Sequence, residues 1–271
     1  MKVLDKNIVV TGGGNGVGRE LVLNLLSKGA RVIAIDVNQS ALEETFRISG
    51  ENGDLITRVV NITDKEAVFN FAEEISSLLS HIDGLINNAG IIQPFVDLKD
   101  LKFEQIDKVM TVNFYGTLYM TKAFLNHFLT RPEAHIVNIS SMGGFFPFPG
   151  QSSYGASKAA IKILTESLYS ELLDTNVHVS VVFPGGIATD IMKNSNINDG
   201  AATTSKQKSK LLLSPSLAAK KIISGMEKNK FRMFIGKDST LMNLIYTLSP
   251  NFAIRFIKRA FASKLHSQKE N

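Results

Sequence analysis

Cysteine is absent from the 271 residues of this sequence, which excludes disulfides, thiolate zinc sites and a cysteine nucleophile. The five histidines show no metal-binding spacing such as HExxH, so we expect no bound metal. Runs of about 18 apolar residues, the length that spans a membrane, are also lacking. Only three consecutive apolar residues precede the glycines near the N-terminus, fewer than the core of a signal peptide needs. We therefore expect a cytoplasmic protein.

Net charge is modest. Lys and Arg number 30 and Asp and Glu number 25, and the formal charge of +5 does not indicate a surface that binds nucleic acid. Four of the cations, Arg255, Lys258, Arg259 and Lys264, lie close together near the C-terminus with no acidic residue between them. The body of the chain is therefore nearly neutral, and its tail is basic.

Short apolar runs alternate with longer amphipathic segments over most of the chain. Several runs are nearly continuous in Val and Ile, which is typical of parallel strands that are buried on both faces. Strands are predicted at residues 7–11, 30–36, 55–60, 83–87, 135–140, 177–183 and 231–236. Because helical patterns separate these runs, the sequence predicts an α/β fold, a doubly wound, seven-stranded parallel sheet flanked by helices.

The sequence predicts one Rossmann-fold domain over residues 1–237, followed by a basic amphipathic helical extension over residues 238–271. Residues 193–210 are polar and have no long apolar period, which indicates a mobile insertion over the substrate at about 190–213. A helix should follow it, because Ser214 can cap a helix that Pro215 begins.

Glycines cluster in the stretch TGGGNGVG, Thr11 to Gly18, directly after the first predicted strand. Glycine there permits a tight turn and lets a pyrophosphate approach the backbone at a helix N-terminus, as in a Rossmann fold. Asp36 ends the second strand, where a carboxylate accepts hydrogen bonds from the adenosine ribose and repels a 2′-phosphate. Neither Asn15 nor Val37 offers a compensating positive charge, so the sequence predicts NAD rather than NADP. A helix cap for the next segment is the alternative role of Asp36.

Tyr154 and Lys158, in the stretch YGASK, lie four residues apart and therefore on one face of a helix. Other pieces stand in a fixed order around this pair: TGGGNGVG, Asp36, NNAG at 87–90, Asn113, NISS ending at Ser141, and PGGIATD at 184–190. In this combination and order the chain resembles the short-chain dehydrogenase/reductase family from residue 6 to about residue 236. The resemblance implies an oxidoreductase that acts on a CH–OH group as a homodimer or homotetramer.

The chemistry of such a reaction can be assigned to these side chains. A tyrosine with its ordinary pKa of about 10 is protonated at neutral pH, yet oxidation of an alcohol needs a group that takes the hydroxyl proton. We expect the Lys158 ammonium to lower the pKa of Tyr154, which then acts as general base in oxidation and general acid in reduction. Ser141, rather than its neighbour Ser140 on the opposite face of the strand, is expected to hold the substrate oxygen. The resemblance further implies that Lys158 binds the nicotinamide ribose and that Asn113 shapes a water path to Lys158.

The resemblance also implies a set of cofactor contacts along the chain. They are Thr11, Gly12, Asn15, Gly16, Val17, Gly18, Asp36, Asn61, Ile62, Asn87, Ala89, Gly90, Tyr154, Lys158, Pro184, Gly185, Ile187 and Thr189. Asn61 departs from the family's pattern, which usually places an aspartate there to meet the adenine amine. Its side-chain oxygen can still accept one hydrogen bond.

The substrate pocket is expected between two apolar stretches, IIQPF and MGGFFPFPG. The residues assigned to it are Ile92, Gln93, Phe95, Met142, Gly143 and Phe148, and Phe145 and Phe146 are expected to wall it as well. None of them is charged, whereas a carboxylate or phosphate substrate would favour an arginine nearby, so the sequence predicts an apolar substrate. Alternatively, these aromatic residues face the core or a partner subunit.

A final helix is expected after Ser249 and Pro250, which read as a cap and a first-turn proline. Phe252 and Phe256 share an apolar stripe, and Arg255 and Lys258 lie apart from it. A basic amphipathic helix over residues 250–264 can rest on an anionic membrane surface, or it can pack within the chain or at a subunit interface. The sequence leaves both alternatives open.

The sequence as a whole predicts an NAD-dependent oxidoreductase that interconverts an apolar secondary alcohol and its ketone. The alternative is a catalytically silent, NAD-binding sensor or scaffold of the same fold. A sensor has no chemical need for Ser141, Tyr154 and Lys158 together, which argues against that alternative.

Overall fold

The computed structural model describes residues 1–188, 191, 195 and 212–266, with side chains described as far as residue 259. Most of the expected insertion at 190–213 therefore lies outside the described residues, as does Thr189. The described ends of this segment are joined, because Ile187 and Leu213 form a parallel β-bridge.

Seven strands form one sheet in which every neighbouring pair is parallel. The strands are β1 Asn7–Thr11, β2 Arg31–Asp36, β3 Leu55–Val59, β4 Gly84–Asn87, β5 Ala134–Ile139, β6 Val177–Pro184 and β7 Arg232–Ile235. Their order across the sheet is β3-β2-β1-β4-β5-β6-β7. The predicted doubly wound parallel sheet is confirmed.

Helices cover both faces of the sheet. They are α1 Gly16–Leu26, α2 Gln39–Ile48, α3 Lys65–Leu79, α4 Phe103–Met110, α5 Thr117–Leu129, α6 Ser152–Glu171, α7 Pro215–Met226, α8 Lys237–Leu248 and α9 Pro250–His266. A π-helical segment, Thr111–Gly116, joins α4 to α5, and short 3₁₀ turns lie at Leu98–Asp100 and Met142–Gly144. As expected, α7 begins at Pro215 and is capped by the Ser214 side chain, which accepts from the Leu217 N–H.

The alternation of side chains along each strand divides the core into two layers. Ile8 and Val10 of β1 lie in the layer formed with α1 and α7, whereas Val9 lies in the layer formed with α3 and α5. Most strand side chains in both layers are apolar and buried, so the sheet is packed on both faces.

The strand order reverses at β1. The strands β2 and β3 lie on one side of β1, and β4 to β7 lie on the other. In an open parallel sheet, such a reversal of strand order makes a crevice at the carboxyl ends of the strands. The glycine stretch, the end of β4, Ser141 and the segment after β6 all follow the carboxyl ends of strands. The topology therefore brings the predicted site residues to one edge of the sheet.

The C-terminal extension is helical, and it packs on the body of the protein. Its last described helix, α9, begins at Pro250 as predicted, and the first part of the extension forms a separate helix, α8. Ala253 and Ile257 of α9 are buried against Phe146, which lies in the loop between β5 and α6. Among the helices that the structure describes, none is both long and apolar enough to cross a membrane.

Candidate active site

The glycine stretch forms a tight turn whose backbone favours glycine at two places. Gly12 and Gly16 have φ angles of +68° and +51°, in the left-handed region. A Cβ on Gly18 would collide with the Gly12 carbonyl, so the first turn of α1 packs directly on the loop. The Thr11 hydroxyl accepts the backbone N–H groups of Asn88 and Ala89, at 3.0 and 2.9 Å, and ties this loop to the end of β4.

The N-terminus of α1 has no side-chain cap, although Asn15 occupies the capping position. The helices α6 and α8 likewise have no side-chain cap, whereas α2, α3 and α7 are capped by the side chains of Asn38, Asp64 and Ser214. The first N–H groups of a helix have no partner within the helix and carry its positive dipole end, so they bind anions such as phosphate. This end of α1 fits the pyrophosphate of a dinucleotide.

Asp36 lies at the carboxyl end of β2 beside the glycine stretch. Its carboxylate accepts hydrogen bonds from the Gly14 and Asn38 backbone N–H groups, both at 3.1 Å. The cap of α2 is Asn38, whose side chain accepts from the Ala41 N–H, so Asp36 is not the helix cap that the sequence left open as an alternative. The two backbone donors hold the Asp36 carboxylate at the mouth of the crevice.

Arg19 is the cation closest in sequence to the glycine stretch, and its guanidinium is hydrogen-bonded to the backbone of that stretch. The guanidinium donates to the Gly14 carbonyl at 2.6 and 3.0 Å and to the Thr45 hydroxyl at 3.0 Å. Arg19 therefore supports the loop backbone from within the protein.

Asn61 and Ile62 follow β3. The side-chain oxygen of Asn61 accepts both the Thr63 N–H, at 3.1 Å, and the Thr63 hydroxyl, at 2.8 Å. The oxygen that was expected to meet the adenine amine is thus already engaged by Asn61's own turn. Ile62 is buried and lies against Gly116.

Asn87 differs from the sequence-based expectation, because its side chain points into the core. Its amide nitrogen donates to Asn138 at 2.8 Å and to Thr121 of α5 at 3.1 Å. Leu85, two residues earlier on β4, lies in the same layer with α5, so the period of two already indicates this direction. The side chain that reaches the glycine stretch is Asn88, which donates to the Thr11 carbonyl at 3.1 Å. Ala89 and Gly90 continue along the crevice.

Tyr154 lies in the first turn of α6, and its ring and the Ser141 hydroxyl both lie against Gly143. Burial raises the pKa of Tyr154 above its ordinary value of 10.0, and the hydrogen bond to Ser141 acts in the opposite direction. This differs from the expected lowering of the pKa by Lys158. The phenol is therefore a proton donor at neutral pH.

Ser140 and Ser141 diverge, as the alternation along the strand predicts. The Ser140 hydroxyl is buried and donates to the Lys158 carbonyl at 2.7 Å, whereas Ser141 is half-buried and faces Tyr154. The Ser141 oxygen also accepts the Gly143 N–H at 3.0 Å, which fixes the orientation of the side chain.

Lys158 is buried one helical turn after Tyr154. Its ammonium donates to the Ile139 carbonyl at 3.0 Å, and it lies so close to Gly90 that a Cβ there would be 3.1 Å from the Lys158 nitrogen. Burial lowers the pKa of Lys158 from 10.5 to about 8, because the charged form is poorly solvated.

Asn113 lies in the π-helical segment between α4 and α5, a distortion that is frequent at functional sites. Its side chain accepts the Ile91 N–H and donates to the Ile91 carbonyl and to the Ser157 hydroxyl, at 2.9 to 3.0 Å. All of these partners are protein groups, so Asn113 ties the loop after β4 to α6. The Ser157 hydroxyl in turn donates to the Tyr154 carbonyl at 2.7 Å.

Gln93 was expected to line the substrate pocket, but it is completely buried under α6. Its side-chain oxygen accepts the Tyr154 backbone N–H at 2.9 Å, and its amide nitrogen donates to the Gly150 carbonyl at 3.0 Å. Gln151 completes the arrangement, since its side chain donates to the Gln93 carbonyl at 3.0 Å. These two glutamines clamp the first turn of α6 to the loop after β4.

The aromatic residues of the loop between β5 and α6 point mostly inward. Phe145 packs on Phe183 and Phe234, and Phe146 is buried against Tyr246 of α8 and the buried residues of α9. Phe146 therefore does not wall an open pocket, which corrects the sequence-based assignment for this residue, whereas Phe145 is half-buried. The remaining pocket residues, Ile92, Phe95, Met142, Gly143 and Phe148, are half-buried.

The segment after β6, Pro184 to Ile187, is held by a residue that the sequence analysis missed. Asp238, in the first turn of α8, accepts the Gly186 N–H at 2.7 Å, and its carboxylate occupies the space beside Gly185 where a side chain would otherwise lie. No motif in the sequence marks Asp238, because it lies more than fifty residues away from its partner.

No group of three or more His, Asp or Glu side chains that could hold a metal ion occurs within the described part of the chain.

Comparison with known proteins identifies relatives over most of the chain. Residues 6–200 match the family model described as short chain dehydrogenase. The chain is 34% identical over 247 residues to the putative oxidoreductase SadH of Mycobacterium tuberculosis, which covers 89% of each protein. It is 33% identical over 190 residues to the 3-oxoacyl-[acyl-carrier-protein] reductase FabG of Thermotoga maritima, covering 70% of this chain and 77% of that protein.

Solved structures share the fold at lower identity. A short-chain dehydrogenase/reductase from Burkholderia phymatum in complex with NAD superposes with a TM-score of 0.80 at 22% identity, covering 92% of this chain and 96% of that one. A short-chain dehydrogenase from Burkholderia cenocepacia in complex with NADP also gives 0.80, at 24% identity and with 95% and 99% coverage. One of these neighbours holds NAD and the other NADP, so the fold alone does not select between the two cofactors.

The clamp by Gln93 generates a first prediction. We expect Gln93→Met, which leaves the Tyr154 N–H and the Gly150 carbonyl without partners, to lower kcat about tenfold and the free energy of unfolding by about 1–3 kcal/mol. The Kd for NADH should stay within about twofold, because the glycine stretch is untouched. The measurement combines steady-state kinetics, calorimetric titration and urea unfolding.

The control is Gln105→Met on α4, since Gln105 also accepts a backbone N–H at a helix start, from Lys102 at 3.2 Å. If Gln93→Met lowered stability but left kcat unchanged, Gln93 would not position Tyr154.

The buried ammonium of Lys158 generates a second prediction. Because the folded-state pKa is about 8 and the ordinary value is 10.5, the unfolded chain binds more protons between these two pH values. The free energy of unfolding of the wild type, relative to Lys158→Met, should therefore rise by up to about 3 kcal/mol from pH 8 to pH 10.5.

Urea unfolding of both proteins across this pH range measures the difference, and Lys162→Met on the same helix controls for the loss of any lysine. A difference that stays constant with pH would contradict the assignment.

Proposed function

The chain belongs to the short-chain dehydrogenase/reductase family of NAD(P)-dependent oxidoreductases, and we propose that it interconverts an apolar secondary alcohol and its ketone with NAD(H). The observation that carries this proposal is the position of the Tyr154 ring beside the Ser141 hydroxyl, both of them against Gly143, with the buried Lys158 ammonium one helical turn away. A carbonyl oxygen placed between the two hydroxyl groups would receive a hydrogen bond from each.

The cofactor is proposed to lie across the crevice with its pyrophosphate at the uncapped N-terminus of α1. When bound, the nicotinamide accepts or supplies the hydride. Asp36, held by two backbone N–H groups, can accept hydrogen bonds from the ribose hydroxyls and repels a 2′-phosphate. Arg19 already donates to the Gly14 carbonyl, and this geometry supports NAD over NADP.

Proton transfer is assigned to Tyr154. Because burial raises its pKa, the phenol carries its proton at neutral pH and can donate it to the oxygen of a ketone as that oxygen becomes negative. In the oxidation direction the phenol must first release its proton to solvent, and the Ser141 hydroxyl promotes this step because a hydrogen bond from it favours the phenolate. The phenolate then takes the hydroxyl proton of the alcohol. Ser141 also stabilises the developing charge on the substrate oxygen.

The substrate class follows from the walls of the pocket. Ile92, Phe95, Met142 and Phe148 are apolar and half-buried beside the catalytic loop. None of the residues assigned to the pocket carries a charge, so a substrate with a carboxylate or phosphate next to the reacting carbon would be left without a counter-ion. An alcohol or ketone with apolar substituents fits these walls.

Removal of the phenolic hydroxyl is the direct test of this assignment. We expect Tyr154→Phe to lower kcat about a thousandfold on any active secondary alcohol, with the Kd for NADH changed less than about threefold. The control is Tyr169→Phe on the same helix, whose ring stacks on Phe231 away from Ser141. Unchanged turnover in Tyr154→Phe would remove Tyr154 as the acid and base, and NADH binding without turnover in the wild type would favour a sensor.

Cofactor preference depends on Asp36. The wild type should bind NADH at least about tenfold more tightly than NADPH, and Asp36→Ala should reduce this ratio by about tenfold because the repelling charge is gone. Calorimetric titration with both cofactors measures the ratio, and Asp97→Ala, a change in the loop before α4, serves as the control. Equal affinities for the two cofactors in the wild type would contradict the assignment.

A further inference from the structure

An exposed apolar surface runs along the two C-terminal helices. We define it as the C-terminal apolar surface, formed by Leu241, Leu244 and Leu248 of α8 and Phe252 and Phe256 of α9. Leu248, Phe252 and Phe256 are 76%, 59% and 50% exposed, and the two phenylalanine rings stack on each other at 6.3 Å. Large apolar side chains clustered in this way mark an interaction site rather than scattered surface residues.

The position of these side chains is a consequence of how the two helices pack. Ala253 and Ile257 of α9 face the body of the protein, and Met242 and Tyr246 of α8 join the same cluster around Phe146. Each helix thus packs one apolar side against the domain, and its exposed apolar residues lie on a different side. The exposed residues are therefore not required to hold α8 and α9 on the domain.

Positive charge accompanies the C-terminal apolar surface. Arg255 and Arg259 follow Phe252 and Phe256 by three residues each, which places them beside the phenylalanines rather than apart from them as expected from the sequence, and both are exposed. Lys258 is also exposed. The sequence contains no Asp or Glu between residues 239 and 269, and the nearest acid before this range, Asp238, is bonded to the Gly186 N–H.

A second basic feature adjoins α8. A groove of about 490 Å³ lies between β7, α7 and α8, with Thr240 of α8 in one wall. Its charged lining residues are Lys220, Lys221, Lys230 and Arg232, of which Arg232 pairs with Glu166 at 2.7 Å. Since Thr240 lies one helical turn before Leu244, one wall of this groove adjoins the α8 part of the C-terminal apolar surface.

We propose that the C-terminal apolar surface binds peripherally to an anionic phospholipid bilayer. Phe252, Phe256 and the exposed leucines would enter the interface between headgroups and acyl chains, and Arg255, Lys258 and Arg259 would contact the phosphates. A second copy of this chain fits less well. Two copies related by a twofold axis would bring the same cations against one another without an acidic residue to compensate them.

Binding of this kind would place the site next to the lipid. Phe146, against which α9 packs, lies in the same loop as Met142 and Phe148 of the pocket. The loop that borders Tyr154 is thereby attached to the helix that contacts the bilayer. The docking itself does not depend on the proposed reaction, and vesicle binding tests it without a substrate.

The test is co-sedimentation of the full-length protein with vesicles of phosphatidylcholine alone and of phosphatidylcholine with about one-third phosphatidylglycerol. We expect binding to the anionic vesicles that weakens at high salt, and much weaker binding to the neutral ones. The double variants Phe252→Ser/Phe256→Ser and Arg255→Glu/Arg259→Glu should each bind the anionic vesicles at least about tenfold more weakly.

Phe103→Ser is the matched control, because Phe103 is 78% exposed on α4, outside the C-terminal apolar surface. Thermal unfolding and NADH binding of every variant establish that the fold is intact. The proposal is overturned if the wild type binds neither vesicle, if it binds both equally, or if the variants bind like the wild type. It is also overturned if the phenylalanine variant halves the mass in sedimentation velocity while vesicle binding is absent, since the surface would then join two copies.

Discussion

The first turn of α6 is the constraint on which the rest of the site depends. Tyr154 can meet Ser141 only if this turn is held at a fixed distance from the end of β5, and buried polar contacts provide that hold. Gln93 accepts the Tyr154 N–H, Gln151 binds the loop after β4, and Ser157 links the turn to Asn113. A buried polar network of this kind favours one arrangement of the loop and the helix, because any member that loses its partner pays the full desolvation penalty of a buried polar group.

Burial has opposite consequences for the two ionisable members of the site. It raises the pKa of Tyr154 and lowers that of Lys158 to about 8, so both groups are driven toward their neutral forms. Perturbed pKa values of this kind cluster at functional sites. Ser141 lies beside the Tyr154 ring, and its hydroxyl is oriented by the Gly143 N–H.

Much of the fold and part of the site can be predicted from the sequence, because they rest on local patterns. The Val- and Ile-rich runs specify the parallel sheet, and the spacing of Tyr154 and Lys158 specifies their common helix face. Contacts between distant segments leave no such pattern. Gln93 reads as a pocket residue until the Tyr154 N–H is found beside it, and Asp238 pairs with Gly186 across an interval that no periodicity covers. Asn87 is an intermediate case, since the period of two along β4 indicates its inward direction.

The central claim is that burial, rather than the charge of Lys158, sets the protonation state of Tyr154 in the free protein. Tyrosine labelled with ¹³C at the ζ carbon allows the phenol to be titrated by NMR in the full-length chain, and the Tyr154→Phe spectrum identifies its resonance. The account predicts that Tyr154 titrates above its ordinary pKa of 10.0. A midpoint near neutral pH would contradict it and would show that Lys158 already stabilises the phenolate before any ligand binds.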